Sequence, residues 1–419
     1  MTGKIKMQIM TGKYFYLDKH IGRHWTLLAL LIVFFLTGCG GDDGMNEKAP
    51  QVVEINDDDD DNTTATIDDS YTYRLPVIFH VLYRDRTDPL QYVSASRLKE
   101  ILNNVNELYQ GGIYGQSQHI NVKFVLASTD EQGRALSTPG VEYVEWPSGW
   151  SYPIDPYFFM DDNTGTFVNY IWEPSEFINV MVYNFSNTDD ETTTLGISHM
   201  PYSVVGNHEL EGLETTEYSA LSKRNLKFPY CSSINSLYIN KESDRYTRED
   251  KGAGGYEYNS ADVNVTVAHE LGHYLGLHHM FTEQDGATAD DCFDSDYCED
   301  TPSYNRIEYL AFLDNYIDMH EISGEPMSIN ELMKRTSCEG EIFYSANLMD
   351  YMIGLGYKFS ADQKGRIRHV LYYSPLMPGP RKPAVSRSSE SSEIVPEGPV
   401  DLPVRLAICR QRLIKNHIH

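Results

Sequence analysis

The chain has 419 residues, with 61 acidic against 34 basic side chains, a formal net charge of −27 and an isoelectric point of about 4.8. So acidic a protein lacks the basic face needed to neutralise phosphates, which excludes nucleic acid as the expected partner. The length is ample for one core with a cleft, and the six cysteines allow disulfides if the chain is exported.

Lys4, Lys6, Lys13, Lys19 and Arg23 precede an apolar run from Leu27 to Leu36, which leads into Leu36-Thr37-Gly38-Cys39. This order predicts a signal peptide over residues 1–38 that ends in a lipobox, with cleavage before Cys39 and lipid on its sulfur. A plain secretory signal with an incidental cysteine is the alternative. About ten apolar residues fall short of a bilayer core of about 30 Å, which argues against a permanent transmembrane helix. The expected product is a bacterial lipoprotein of the cell envelope, placed at the outer membrane, membrane-attached through its lipid and monomeric. Residues 39–71 then form a tether. Between 40 and 70 eleven acids stand against Lys48, a net charge of −10. Such a segment has too little apolar content to fold and repels itself into an extended, disordered spacer.

Beyond the tether, Leu75 to Tyr83 reads as a strand. Leu98, Ile101, Leu102, Val105 and Leu108 recur at helical period between 94 and 110, which predicts a helix backing a sheet. Two further strands are expected at Ile120–Leu126 and Phe177–Tyr183, and Leu195 to Ser203 as an edge strand bordering a cleft. Segment 141–170 is rich in Trp, Tyr, Pro and Gly and suggests only an insertion.

The most specific signal follows. His269-Glu270-Leu271-Gly272-His273-Tyr274-Leu275-Gly276-Leu277-His278-His279 fits H-E-x-x-H-x-x-G-x-x-H at every fixed position. On a helix, residues four apart stand one above the other, so His269 and His273 present two imidazoles to one point. Zinc takes a tetrahedral set of such donors and, in a catalytic site, leaves one position to water. Gly276 can adopt positive φ, end the helix and return the chain toward the metal. His279 is then the expected third ligand, with the adjacent His278 as competitor. Glu270 stands where it can take a proton from the metal's water and pass it to the departing amine. Ser260 is the expected N-cap, and Val263, Val267, Leu271 and Leu275 form an apolar row roughly opposite the histidines. The lower lobe, 277–376, is expected to be mostly irregular and to end in a helix from Ala361 to Tyr373. Residues 377–419, with a Pro-, Ser- and Glu-rich stretch from 378 to 403, are expected to be a disordered tail.

Ser345-Ala346-Asn347-Leu348-Met349-Asp350-Tyr351 has the form of a methionine turn, and with the histidine motif it resembles the metzincin clan. The N-x-M-x-Y turn, Asp296-Tyr297-Cys298-Glu299-Asp300-Thr301-Pro302 and Phe359-Ser360-Ala361-Asp362-Gln363 are similar to the pappalysin family. The resemblance covers roughly residues 72–376. It implies an α+β, two-lobed catalytic domain: an α/β upper lobe (72–276) with a twisted mixed sheet, a backing helix and an active-site helix, and the lower lobe already described. It further implies that Met349 floors the histidines, that the Tyr351 phenol steadies the oxyanion, and that the edge strand pairs with substrate backbone. Asp296, Asp300 and Thr301 resemble a calcium-binding loop, although a merely solvated acidic turn reads the same way. Cys292 with Cys338 matches a family disulfide; Cys231 with Cys298 is a weaker pairing, leaving Cys409 over. The chain departs from the family after the turn, reading Tyr351-Met352-Ile353-Gly354 where an acidic residue and soon a cysteine are expected. A preference for basic side chains is therefore not inherited. The function implied is a zinc endopeptidase acting on extracytoplasmic proteins or peptides. A catalytically silent peptide- or glycan-binding surface lipoprotein is the alternative, weighed against by the retained Glu270 and Tyr351, and an amide in cell-wall peptide is a further substrate class.

Overall fold

The structure is a computed structural model that describes residues 69–112, 114–186, 192–243, 258–284, 286–350, 352–379 and 394–412. The signal peptide 1–38, Cys39, nearly all of the tether 39–71, and Tyr351 lie outside the described residues. Among the described residues no helix is long and apolar enough to cross a membrane.

The sheet grows around strand β1, Tyr73–Tyr83, whose side chains are buried on both faces except near its start. A central parallel strand covered on both sides reads as a near-continuous apolar run, and Val77-Ile78-Phe79-His80-Val81-Leu82 does so. One edge of β1 pairs in parallel with β4 (Ile178–Tyr183), Phe79 opposite Val180. Its other edge is shared, 73–77 pairing with β2 (Val122–Leu126) and 79–83 with β3 (Val141–Glu145). Beyond β4 come β6 (Ser232–Asn235), parallel, and β5 (Thr192–His199), antiparallel to it. The last strand, β7 (Leu406–Arg412), runs antiparallel to β5 and ends the sheet. The order is β7-β5-β6-β4-β1-β2, with β3 also on β1.

Two sequence expectations fail here for one reason. The edge strand expected at Leu195–Ser203 is an interior strand, because β7 pairs along its outer side. The tail expected to be disordered over 377–419 supplies that strand: Leu406, Ala407 and Ile408 make an apolar run which pairing with β5 shields.

Helix α1 (Ala95–Gln110) backs the sheet as the periodicity implies. Ser94 caps it by accepting from the Arg97 amide, Gly111 ends it at φ 71°, and Leu98, Ile101, Leu102, Val105 and Leu108 are all buried. The Tyr109 hydroxyl donates to the Ala268 carbonyl at 3.1 Å, tying α1 to helix α2 (Val263–Tyr274). Asp262, not Ser260, caps α2, accepting from the amides of Asn264 and Val265 at 3.0 and 3.3 Å. Asp262 is the residue directly before the first helical one, where its oxygen reaches the exposed amides; Ser260 is two residues too early. Eleven of the twelve α2 residues are buried, so the apolar row is one packed face of a helix enclosed by α1, the sheet and the lower lobe.

The lower lobe is more regular than expected. Helix α3 (Arg306–Ser323) is capped by Asn305 and ended by Gly324 at φ 71°, and buries Tyr309, Leu313 and Ile317 at i, i+4, i+8. So narrow a stripe, interrupted by exposed Ile307, Phe312 and Ile322, gives a faint periodic signal. Helix α4 (Ala361–Tyr373) starts where the sequence indicates, with a capping box between Ser360 and Gln363. Cys292 and Cys338 are disulfide-bonded as expected, whereas Cys231 and Cys298 are free and buried. The aromatic segment 141–170 is a local core, with Trp146 stacked on Phe167 at 5.9 Å and edge-on to Trp150 at 4.9 Å.

Candidate active site

Helix α2 places His269 and His273 one turn apart, and its end is a Schellman turn. The amide of Gly276 donates to the His273 carbonyl at 2.9 Å, and that of Leu277 to the Gly272 carbonyl at 3.0 Å. Gly276 has φ 89°, and a Cβ there would stand 2.6 Å from Val370 Cγ2, so both the turn and α4 exclude a side chain. The reversed chain brings His279 back: its Nε2 is 3.0 Å from Nε2 of His273, which is 2.9 Å from Nε2 of His269. His278 points elsewhere, its ring 5.1 Å from that of Tyr297.

These nitrogens do not share a proton, because each ring's proton is used on its other side. His269 Nδ1 donates to the Leu348 carbonyl at 2.6 Å, His273 Nδ1 to the Leu277 carbonyl at 2.7 Å, and His279 Nδ1 to Glu283 Oε1 at 2.9 Å. Burial is the main cause that pushes His269 down to about 4 and holds His273 and His279 well below the usual imidazole range. Three neutral rings therefore aim Nε2 lone pairs at one point. Around a tetrahedral ion at about 2.05 Å, such nitrogens would lie about 3.3 Å apart, so the donor set fits a zinc-sized cation after a small expansion. A carbonyl or carboxylate behind each ring is the support that metal-bound histidines need.

Glu270 follows directly. Its side chain is fully buried, neither carboxylate oxygen has a hydrogen-bond partner, and desolvation raises its pKa well above the usual range. It lies flat on Gly196 of β5, where a Cβ would fall 2.4 Å from Oε1. Ser198, two residues on, donates to the Glu270 main-chain carbonyl at 2.7 Å.

Met349 packs under the same helix: a Cβ on Gly272 would meet its sulfur at 2.6 Å. The turn carrying it is fixed by neighbours on both sides. Asn347 accepts from the Met349 amide at 2.8 Å and exchanges two hydrogen bonds of 3.0 Å with Gln363 of α4. Asp350, fully buried, accepts from Tyr304 and Ser345 at 2.8 and 2.7 Å and pairs with the buried guanidinium of Arg335 at 3.4 Å.

The expected calcium residues are not gathered. Asp296 accepts from the Thr301 hydroxyl at 2.6 Å, but Asp300 turns to the start of α4 and accepts from the Ala361 amide at 2.8 Å. Among the described residues, three or more His, Cys, Asp or Glu donors converge in two overlapping groups, His269–His273–His279 and His269–Glu270–Cys409, each within 4.8 Å. Sequence reading missed three of these neighbours. Glu283 was signalled by an acid four residues beyond the last histidine; Gly196 and Cys409 had no local signal, since sheet pairing alone brings them here.

A peptidase family model described as Pregnancy-associated plasma protein-A matches residues 252–372. No curated protein matches the chain. Similar solved structures include Tannerella forsythia mature mirolysin in complex with a cleaved peptide, at 19% identity and TM-score 0.44, covering 72% of this chain and 92% of that one. A Tannerella forsythia promirolysin mutant is similar at 18% identity and TM-score 0.42 over 72% and 81%, and mirolysin in complex with compound 9 at 18% and 0.44 over 72% and 92%.

Proposed function

We propose, from the premise that residues 252–372 are those of a pappalysin-like metzincin metallopeptidase, that this chain is a zinc-dependent endopeptidase acting on extracytoplasmic proteins. The observation that carries the reading is the convergence of three Nε2 atoms whose rings spend their protons on Leu348, Leu277 and Glu283. Zinc bound there would supply Lewis acidity toward the scissile carbonyl and the attacking water. His269, His273 and His279 would hold it through their Nε2 atoms. Glu270, in contact with Gly196, takes the attacking water's proton on its carboxylate and returns it to the leaving nitrogen. Tyr351 is proposed as the oxyanion donor, and Met349 as the apolar floor that fixes the imidazoles by packing on Gly272.

The lipobox ending at Cys39 supports a lipid-anchored enzyme of the bacterial envelope, acting as a monomer at the end of an acidic tether. Asp296 bonds to Thr301 while Asp300 Oδ2 accepts from the first amides of α4, and the proposal assigns no role to calcium. The test is the full chain incubated with a diverse peptide mixture, with and without a chelator, beside Glu270→Gln. One zinc per chain and internal cleavages lost on chelation and in the variant are expected. Zinc bound by the wild type with no cleavage even after long incubation would sink the peptidase reading, and an equally active Glu270→Gln would sink the general-base role.

A further inference from the structure

The space beside the third histidine carries the opposite charge from the rest of the chain. A cavity of about 260 Å³ opens at His273 and His279, with Leu406, Ala407 and Ile408 of β7 as an apolar wall. Among the described residues, its charged side chains are Glu283, Arg306, Arg405 and Arg410. Three guanidinium groups thus stand against one carboxylate in a protein whose formal net charge is −27. That carboxylate is already engaged, since Glu283 Oε1 accepts from His279 Nδ1 at 2.9 Å.

The arginines are held in place from separate parts of the chain. Arg306, the first residue of α3, donates from Nη1 to the Thr288 hydroxyl at 2.7 Å and lies 4.8 Å from the centre of the Phe281 ring. Phe281 in turn stacks on His279, ring centres 4.7 Å apart and planes 14° from parallel. One aromatic ring therefore separates the Arg306 guanidinium from the third histidine. Arg405 donates to the Gly212 carbonyl at 2.7 Å, and Arg410, exposed at the rim, donates to the Tyr157 hydroxyl at 2.5 Å. The three acceptors are uncharged, so these bonds orient the guanidinium groups and cancel none of their charge. A planar fork of N–H donors matches a carboxylate, whereas a lysine or arginine side chain entering here would meet like charge.

We propose that this cavity sets the substrate preference: Arg306, with Arg405 from β7, binds a carboxylate side chain of the peptide, so that cleavage falls within a few residues of an aspartate or glutamate. The inference rests on the peptidase reading of the three histidines. An extended peptide advances about 3.3 Å per residue, so a side chain one to three residues from the scissile bond spans the distance from the histidines to the Arg306 guanidinium. The wall of Leu406, Ala407 and Ile408 covers the methylenes of such a side chain while its head reaches the arginines. A free C-terminal carboxylate offers the same chemistry, and the test separates the two.

The test uses the zinc-loaded full chain and a peptide that it cuts, with Glu, Gln or Lys placed in turn at each position around the cleaved bond and the C-terminus either free or amidated. At one position Glu should exceed Gln by about 10–100-fold in kcat/KM, with Lys lower still, whether or not the terminus is amidated. Arg306→Gln should bring the Glu-to-Gln ratio close to one, Arg306→Lys should keep part of it, and Arg306→Glu should turn the preference toward Lys. Each ratio is read within one variant, so loss of folded or metal-loaded enzyme cancels. A second reading needs no turnover: binding of a labelled Glu peptide to zinc-loaded Glu270→Gln, followed by fluorescence anisotropy, should weaken by a similar factor when Arg306→Gln is added. A wild type that cuts the Glu, Gln and Lys peptides alike overturns the inference and leaves the peptidase reading standing. So does a Glu preference that survives Arg306→Gln combined with Arg405→Gln, since it then belongs to the metal. A preference seen only with a free C-terminus overturns the assignment to a side chain. A zinc-loaded chain that cuts no peptide removes the peptidase reading and this inference with it.

Discussion

Glu283→Gln tests how the third histidine is held. Glu283 Oε1 accepts from His279 Nδ1 at 2.9 Å, in a pair whose side chains are 17% and 3% exposed, so little water competes. Loss of such an outer partner costs about 10–100-fold in metal affinity, or about 1.4–2.7 kcal/mol. The pH dependence follows from burial, the main cause that raises Glu283 to about 7, while the histidines are held below their ordinary range. In the metal-free protein Glu283 is thus the first of these groups to gain a proton as pH falls, and a cation bound to His279 opposes that proton. Wild-type affinity should therefore fall below about pH 7, whereas the glutamine variant lacks this component. Zinc affinity measured by chelator competition should differ by about 10–100-fold at pH 8, and the gap should narrow toward pH 6. Equal affinities at pH 8, or a gap independent of pH, would refute the assignment of Glu283 as the carboxylate that charges and orients His279.

Gly196→Ala places a methyl group 2.4 Å from Glu270 Oε1 and should displace the base. A drop of about 100-fold in kcat with unchanged zinc content is expected, and full activity would show that Glu270 does not work from its observed position. Asp350→Asn leaves the Arg335 guanidinium buried without its counter-charge, both side chains being 0% exposed. A loss of about 3–5 kcal/mol and a melting temperature lower by roughly 10 °C are expected, largely recovered when Arg335→Met is added; no recovery would mean that Asp350 acts through Tyr304 and Ser345 instead.

The convergence of the three histidines was legible because it depends on local spacing. His269, His273, Gly276 and His279 are related by one helix and its stop signal, and short-range geometry delivers all four. The methionine turn and the Ser360–Gln363 cap could be recognised separately, but that Asn347 and Gln363 bond to each other is a fact of packing. What sequence patterns did not reveal is set by long-range pairing. A strand from 406 to 412 follows a Pro- and Ser-rich stretch that argues for disorder, and only its register on β5 brings Cys409 to Gly196. The same pairing turned an expected edge into an interior strand. Helix α3 was hidden for a different reason, since its buried stripe of Tyr309, Leu313 and Ile317 is narrow and exposed apolar residues blur its period.

X-ray absorption at the zinc edge, on the full chain loaded with one equivalent of zinc, tests the central claim most directly. The account predicts three imidazole nitrogens at about 2.0–2.1 Å, with their outer-ring scattering, lost together in a triple alanine variant of His269, His273 and His279. A shell of oxygen ligands alone, or the same spectrum after those three substitutions, would contradict it.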